Sequence, residues 1–124
     1  MSIFSKLFGS KKNETNSVII IKDLNWKEFY ERFNNSSNSM LLDVRTPEEY
    51  SQLRIPGSLL IDIHLPDFKE RISKLDRNKE YFVYCKRGIR SMNAANLMCE
   101  LGFTKIVNLT GGITTWEGPT ETDI

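Results

Sequence analysis

The chain has 124 residues, of which 40% are hydrophobic and 27% are charged, and its 17 basic and 16 acidic residues leave a net charge of +1. This composition is typical of one globular domain with its own core, and the near balance of charge argues against a general nucleic-acid binder. The sequence has no run of about 18 apolar residues, so it predicts no transmembrane helix.

Residues 1–17 precede the predicted domain. Apolar side chains within residues 1–12 follow helical spacing, at Ile3, Phe4, Leu7 and Phe8. A weak membrane-surface or protein-docking helix is one interpretation, but we favour a short helix on its own domain or a frayed terminus. Lys11 and Lys12 follow these apolar residues instead of preceding them, so we predict no signal peptide and expect a cytoplasmic protein. Residues 9–17 have the composition of a linker.

The predicted elements alternate between strand and helix along the chain. In order they are a strand at 18–21, a helix from Asn25, a strand at 40–44, a short helix from Thr46 that ends at turn residues 55–57, a strand at 59–63, a helix opened by residues 65–67, a strand at 81–84, a helix at 91–101, a strand at 105–109 and a short helix that holds Trp116. Asn25 and Thr46 are typical N-cap residues with Glu three positions later.

Alternating elements with short, apolar strands predict an α/β fold, in which helices cover both faces of a parallel sheet. We predict that the domain occupies residues 18–118, followed by a C-terminal tail at 119–124. Active sites in such sheets lie at the carboxyl ends of strands, and two polar residues, Asp43 and Cys85, are predicted at such ends.

Cys85 lies between a predicted strand and the N-terminus of a predicted helix. Unpaired backbone N–H groups and the positive end of the helix dipole at that position favour the thiolate, which is the nucleophilic form of cysteine. We therefore predict that Cys85 is a catalytic nucleophile, and the alternative, an inert buried cysteine, fits the flanking charges less well. The predicted loop around its sulfur consists of Lys86, Arg87, Gly88, Ile89, Arg90 and Ser91.

The charged residues of this loop have alternative roles. Lys86 and Arg87 would either attract an anionic substrate or form a solvated basic turn. Arg90 would either contact a substrate anion or brace the loop through an ion pair with Asp43 or another carboxylate. We favour bracing by Asp43, with Arg45 as a further member of the network, and Glu49 is a candidate for the same network.

The second cysteine, Cys99, lies on the apolar face of the predicted helix at 91–101, and we interpret it as a packing residue. The rise of that helix carries Cys99 too far from Cys85 for a disulfide. His64 has no partner that the sequence identifies, and two isolated cysteines with one histidine do not form a zinc set. We predict neither a metal nor a cofactor.

Four motifs, in this order, resemble the single-domain rhodanese family of sulfurtransferases, and the resemblance covers about residues 18–116. They are Leu42-Asp43-Val44-Arg45 with Glu48-Glu49-Tyr50, Ile55-Pro56-Gly57-Ser58, the Cys-x-x-Gly-x-Arg loop from Cys85 to Arg90 with Ser91, and Leu109-Thr110-Gly111-Gly112-Ile113 with Trp116. Before Ile-Pro-Gly the family often has histidine; this chain has Arg54, at a position that we take as structural.

The resemblance implies a five-stranded parallel sheet and a persulfide intermediate on Cys85. Its implied reaction is a double displacement: Cys85 takes sulfur from a small donor such as thiosulfate or polysulfide and passes it to a thiol, or to cyanide in an assay. The loop amides of residues 86–91 would hold the thiolate and then the outer sulfur.

Two other functions remain open at this point. Cysteine-dependent phosphatases and arsenate reductases also have an anion-binding loop between strand and helix, but they place one more residue between cysteine and arginine than the four that separate Cys85 from Arg90. A sulfur carrier or redox module that docks a partner and turns over poorly is the second alternative.

Overall fold

The structure, a computed structural model, describes residues 20–124. Its elements, in chain order, are β1 (Ile20–Leu24), α1 (Trp26–Asn35), β2 (Ser39–Asp43), α2 (Pro47–Gln52), β3 (Leu59–Leu60), α3 (Phe68–Ser73), β4 (Glu80–Tyr84), α4 (Ile89–Glu100), β5 (Lys105–Leu109) and a 3₁₀ helix (Gly112–Thr115).

The five strands form one parallel sheet in the order β1-β5-β4-β2-β3. β4 is the central strand, because β5 pairs with one of its edges and β2 with the other. The predicted α/β class and the five-stranded parallel sheet are therefore confirmed. The carboxyl ends of β2, β4 and β5 meet along one edge, where a parallel sheet places its active site.

The side chains of the sheet alternate between two core clusters, one on each face. On one face, α3 and α4 cover residues that include Leu42, Val83 and Ile106. On the other face, α1 and Trp116 cover residues that include Phe82 and Val107. Both faces are thus buried, which explains why the strands are apolar at most positions.

The capping signals of the first two helices behave as predicted. The Asn25 side chain accepts a hydrogen bond from the backbone N–H of Glu28 at 3.0 Å and begins α1. Thr46 and Glu49 form a reciprocal capping box that begins α2, with Pro47 as its first residue. Both signals are local, so the sequence is sufficient to find them.

Several element boundaries differ from the prediction, among them that of β1, which ends at Leu24, three residues later than the predicted strand. β3 has only two residues, because Ile61 and Ile63 donate single hydrogen bonds to the end of β2 without continuing the ladder. α4 begins at Ile89, two residues earlier than predicted, since Gly88 turns the chain directly into the helix. The final helix ends at Thr115, and Trp116 follows it as the C-cap.

The predicted helix within residues 1–12 and the linker at 9–17 lie outside the described residues, as do the first two residues of the predicted strand at 18–21. No helix within residues 20–124 is long and apolar enough to cross a membrane. The last residues of the chain contact the segment after α2: Arg54 and Glu121 exchange backbone hydrogen bonds, and the Arg54 guanidinium binds the carboxylates of Glu121 and Asp123.

Candidate functional site

Cys85 follows the last residue of β4 and points toward the N-terminus of α4. Its side chain is buried, with 1% of the residue exposed. The backbone N–H groups of Gly88 and Ser91 donate hydrogen bonds to its Sγ over 3.1 and 3.3 Å, and the Ser91 hydroxyl lies 3.3 Å from the same atom. Three polar hydrogens can therefore be aimed at one sulfur, in a site that α4 further favours for negative charge.

Gly88 permits the tight approach of the loop to its surroundings. Its φ of +97° lies in the left-handed region, which residues with a Cβ rarely adopt. A Cβ at this position would lie only 3.2 Å from the backbone nitrogen of Gly111. The glycine in the Cys-x-x-Gly-x-Arg pattern is thus required both by conformation and by space.

The turn after β5 supports the loop from behind. Ile113 and Thr114 donate backbone hydrogen bonds to the carbonyls of Cys85 and Lys86 at 2.9 and 3.1 Å. Gly112 has a φ of +67°, and a Cβ there would overlap the Lys86 carbonyl. The two glycines belong to the fourth family motif, and adjacent glycines after a strand were the signal in the sequence for this close backbone contact.

Arg90 braces the loop, but its partner is Glu49 and not Asp43. The guanidinium makes a bidentate pair with the Glu49 carboxylate, with both N–O distances at 2.9 Å. Arg90, with the backbone and hydroxyl of Thr46, holds the pKa of Glu49 at about 2, below its ordinary value of 4.5, although partial burial opposes this shift. One carboxylate thus caps α2 and holds the first turn of α4.

Asp43 is instead paired with Arg45, which corrects the predicted contact between Asp43 and Arg90. Leu42 and Val44 pack in the same cluster as Cys85, so Asp43, which lies between them, points to the opposite face of the sheet. There the Arg45 side chain binds both of its oxygens at 2.7 to 3.2 Å and also donates to the Leu53 carbonyl. This buried pair fixes the segment around α2, from which Glu49 reaches the loop.

Tyr84, which the sequence analysis did not single out, connects β4 to the Ile55-Pro56-Gly57-Ser58 segment. Its hydroxyl accepts a hydrogen bond from the Ile55 N–H and donates to the Ser58 hydroxyl, each at 3.1 Å. Burial raises the pKa of Tyr84, and the negative charge of Asp43 raises it further. The residue immediately before the cysteine therefore remains a neutral hydrogen-bonding group.

The remaining loop residues face solvent. Lys86, Arg87 and Ile89 are exposed, and 71% of Ile89 is accessible. Within residues 20–124, neither Lys86 nor Arg87 belongs to an ion pair. These two cations remain available to an anion that approaches Cys85.

The other cysteine and the histidine considered in the sequence lie outside this loop. Cys99 is a free thiol, half-buried on α4, and burial raises its pKa to about 11. His64 Nδ1 lies 2.7 Å from a carboxylate oxygen of Asp62, at an exposed position. In the described part of the chain, no group of three or more metal-binding side chains lies together.

Comparison with known proteins gives consistent matches over most of the chain. The family model described as "Rhodanese-like domain" matches residues 25–119. The chain is 37% identical to YtwF of Bacillus subtilis, provisionally named a sulfurtransferase, over 82% of this chain and 95% of that protein. It is 34% identical to YrkF of the same organism, provisionally named a sulfur carrier protein, over 95% of this chain and 62% of that protein.

A solved structure gives the same result. The crystal structure of a rhodanese-related protein from Thermoplasma volcanium superposes with a TM-score of 0.69 at 30% sequence identity, over 81% of this chain and 97% of that one.

Proposed function

The chain belongs to the rhodanese-like family, whose general chemistry is sulfur transfer. We propose that it carries sulfur as a persulfide on Cys85, from a small anionic donor such as thiosulfate or polysulfide to a thiol. The observation that carries this proposal is the set of donors aimed at one sulfur atom. Two backbone N–H groups and one hydroxyl lie within hydrogen-bond distance of the Cys85 Sγ.

In the first step, the Cys85 thiolate attacks the outer, sulfane sulfur of thiosulfate. A sulfur–sulfur bond to Cys85 forms as the bond inside the donor breaks, and sulfite leaves with the electron pair, so charge is conserved. Lys86 and Arg87, two exposed residues of the loop, would attract the dianionic donor. The remaining loop amides would then hold the outer sulfur of the persulfide.

In the second step, an acceptor thiolate attacks that outer sulfur. The bond to Cys85 breaks, the Cys85 thiolate is regenerated and the acceptor leaves as its own persulfide. No oxidant, reductant or metal is needed, because one sulfur–sulfur bond replaces another. With cyanide as acceptor the product is thiocyanate, and this forms the basis of a colorimetric assay.

The Arg90 contact argues against the phosphatase alternative. A phosphatase of this loop type needs its arginine to bind the phosphate, whereas both terminal nitrogens of Arg90 donate to the Glu49 carboxylate. The bidentate geometry is the strong form of this interaction, so substrate would have to displace a well-made pair. A sulfur atom held by backbone N–H groups can bind without breaking the Arg90–Glu49 pair.

Mass spectrometry of the intact protein tests the proposal. After incubation with thiosulfate, the wild type and Cys99→Ala should each gain the mass of one sulfur atom, and Cys85→Ala should gain nothing. Cys99 is a suitable control because burial raises its pKa to about 11, so its thiol stays protonated near neutral pH. No added sulfur on the wild type with thiosulfate or polysulfide would refute the proposal.

A second incubation separates a transferase from a sulfur carrier, the alternative that the name of YrkF favours. For a transferase, addition of a thiol or cyanide should remove the extra sulfur within seconds and release the persulfide product or thiocyanate. A persulfide that forms but persists in the presence of every small acceptor would favour the carrier. Hydrolysis of an aryl phosphate that depends on Cys85 would instead support a phosphatase.

A further inference from the structure

Beside the Cys85 loop lies a cavity of about 340 Å³, which we call the side pocket. Its walls come from the ends of β1 and β5 and from the first turn of α4, and they include Asp23, Asn108, Arg87, Ile89, Met92 and Asn93. The volume is within the usual range of small-molecule sites, about 300–1,000 Å³. The proposed reaction leaves this pocket without a role.

Asn108 is a polar residue in an apolar row of the sheet. It pairs with Val83 of β4, which in turn pairs with Leu42 of β2, and both neighbours belong to the buried core. Asn108 itself is 2% exposed. A valine would suit this position in a buried parallel strand, so the amide needs a reason other than packing.

The hydrogen bonds of Asn108 show which group it lacks. Its Nδ2 donates to the Asp23 carboxylate at 3.0 Å, which fixes the orientation of the amide. Among the residues that the structure describes, its Oδ1 has no hydrogen-bond partner. The same oxygen is inaccessible to solvent, so a ligand in the pocket meets the Asn108–Asp23 pair through the Asp23 carboxylate.

Asp23 defines the charge of that ligand. In the register of the sheet Asp23 lies directly opposite Asn108, so both side chains belong to the same face and the same end of the pocket. Asp23 has no ion pair within residues 20–124. A carboxylate without an ion pair, held in a fixed orientation by a buried amide, is complementary to an ammonium group, which brings both hydrogens and a positive charge.

The side pocket shares residues with the loop that holds the reactive sulfur. Side chains alternate along β4, so Cys85 and Val83 face the same side of the sheet as Asn108, the side that α4 covers. Gly88, whose N–H binds the Cys85 Sγ, is also a wall of the pocket. A molecule in the pocket therefore contacts the loop that holds the persulfide.

From these observations we infer that the side pocket is the acceptor subsite, and that it selects thiols with a primary ammonium group, as in cysteine and related aminothiols. The inference rests on the proposed sulfur transfer. Asp23, which Asn108 holds in position, binds the ammonium group, and Arg87, which also lines the pocket, suits a carboxylate where the thiol has one. The acceptor thiolate then attacks the outer sulfur, takes it as its own persulfide and returns Cys85 to the thiolate.

The test compares three thiols on the persulfide-loaded protein: cysteamine, L-cysteine and 3-mercaptopropionate, which lacks the ammonium group. Asp23→Asn should raise the half-saturating concentration of the first two by about five- to tenfold, the usual effect of a lost charged hydrogen bond at a partly exposed site. It should leave 3-mercaptopropionate unchanged. Since each thiol is compared with itself on two proteins, its intrinsic reactivity cancels.

Two controls accompany this comparison. Glu100→Gln removes a negative charge at the other end of α4 and should leave the half-saturating concentrations of all three thiols unchanged. Asn108→Leu, whose folding is checked by its melting temperature, should show the same selectivity loss as Asp23→Asn. Persulfide formation from thiosulfate should be the same in all four proteins, because neither Asp23 nor Asn108 contacts the Cys85 sulfur.

A binding experiment keeps this inference separate from the proposed function. S-methyl-L-cysteine cannot accept sulfur but carries the ammonium group, and in an NMR titration it should shift the Asn108 side-chain amide signals of the wild type, but only weakly those of Asp23→Asn. The assignment of the subsite is overturned if Asp23→Asn changes the half-saturating concentrations of all three thiols equally or of none. It is also overturned if the titration does not shift the Asn108 side-chain amide signals of the wild type. Failure of persulfide formation alone, with the shifts present, would overturn the transferase proposal and leave the ammonium site in place.

Discussion

Replacement of Glu49 by glutamine tests the connection between α2 and the Cys85 loop. Glutamine keeps an oxygen that can accept from the Thr46 N–H, so the cap of α2 remains possible, but it removes the charge that holds Arg90. The lowering of the Glu49 pKa from 4.5 to about 2 corresponds to about 3 kcal/mol, at about 1.4 kcal/mol per pKa unit. The two side chains are 26% and 27% exposed, so solvent screening reduces the expected loss of unfolding free energy to about 1–2 kcal/mol.

The effect depends on pH in a defined direction. Because the pKa of Glu49 is lower in the folded protein than in the unfolded chain, its contribution is complete above about pH 4.5 and is lost as the pH falls toward 2. Urea denaturation followed by tryptophan fluorescence should therefore show a difference between wild type and Glu49→Gln that shrinks by about a third to a half at about pH 3.5.

Glu48→Gln is the matched control, because Glu48 lies in the same turn of α2 and is exposed without an ion pair in the described residues. Both variants lose the favourable interaction of an acidic residue with the helix dipole, so the difference between them isolates the Arg90 contact. The freed Arg90 should also slow persulfide formation several-fold in Glu49→Gln alone. Equal stabilities of the two variants near neutral pH, or a difference that does not change with pH, would refute this account of the brace.

Three further substitutions test the packing and polar contacts around the loop. Gly112→Ala should lower the unfolding free energy by about 2 kcal/mol or more and slow persulfide formation, because its Cβ would overlap the Lys86 carbonyl. Gly57→Ala, at a φ of +83° with no atom within 4 Å of its Cβ, should lower the unfolding free energy by only about 1 kcal/mol. Equal losses of the two variants in denaturation would contradict the overlap. Ser91→Ala should fold normally and slow persulfide formation about three- to tenfold in stopped-flow assays, since it removes one of three hydrogens at the sulfur; an unchanged rate would show that the backbone N–H groups suffice. Tyr84→Phe should lower the unfolding free energy by about 1–3 kcal/mol, because two buried hydrogen-bonding groups lose their partner, and a denaturation midpoint within error of wild type would contradict that bond count.

The sequence predicted those features that depend on neighbouring residues. The capping box of Thr46 and Glu49 and the five mainly apolar strands each require only a few consecutive positions. The partner of Arg90 was mispredicted because it depends on side-chain direction. Asp43 and Glu49 are both near the strand ends in sequence, but strand alternation turns Asp43 to the other face, and α2 brings Glu49 to the correct one.

The side pocket also required the fold. Asp23 and Asn108 are 85 residues apart in the chain, and their contact exists only because the first strand pairs with the last. Asn108 alone in a β-rich segment gives no functional signal. Its unusual character becomes visible when the sheet surrounds it with Val83 and its neighbours.

The central position of β4 has a consequence for how activity is lost on heating. The strand that leads into Cys85 has a neighbour on both edges and residues Tyr81, Phe82, Val83 and Tyr84 at 0% exposure. Its amides should exchange with deuterium only through opening of the whole domain, as expected for the most protected unit of a fold. Partial melting of the peripheral strands β1 and β3 should therefore leave Cys85 in place, and loss of persulfide formation on heating should coincide with global unfolding instead of preceding it.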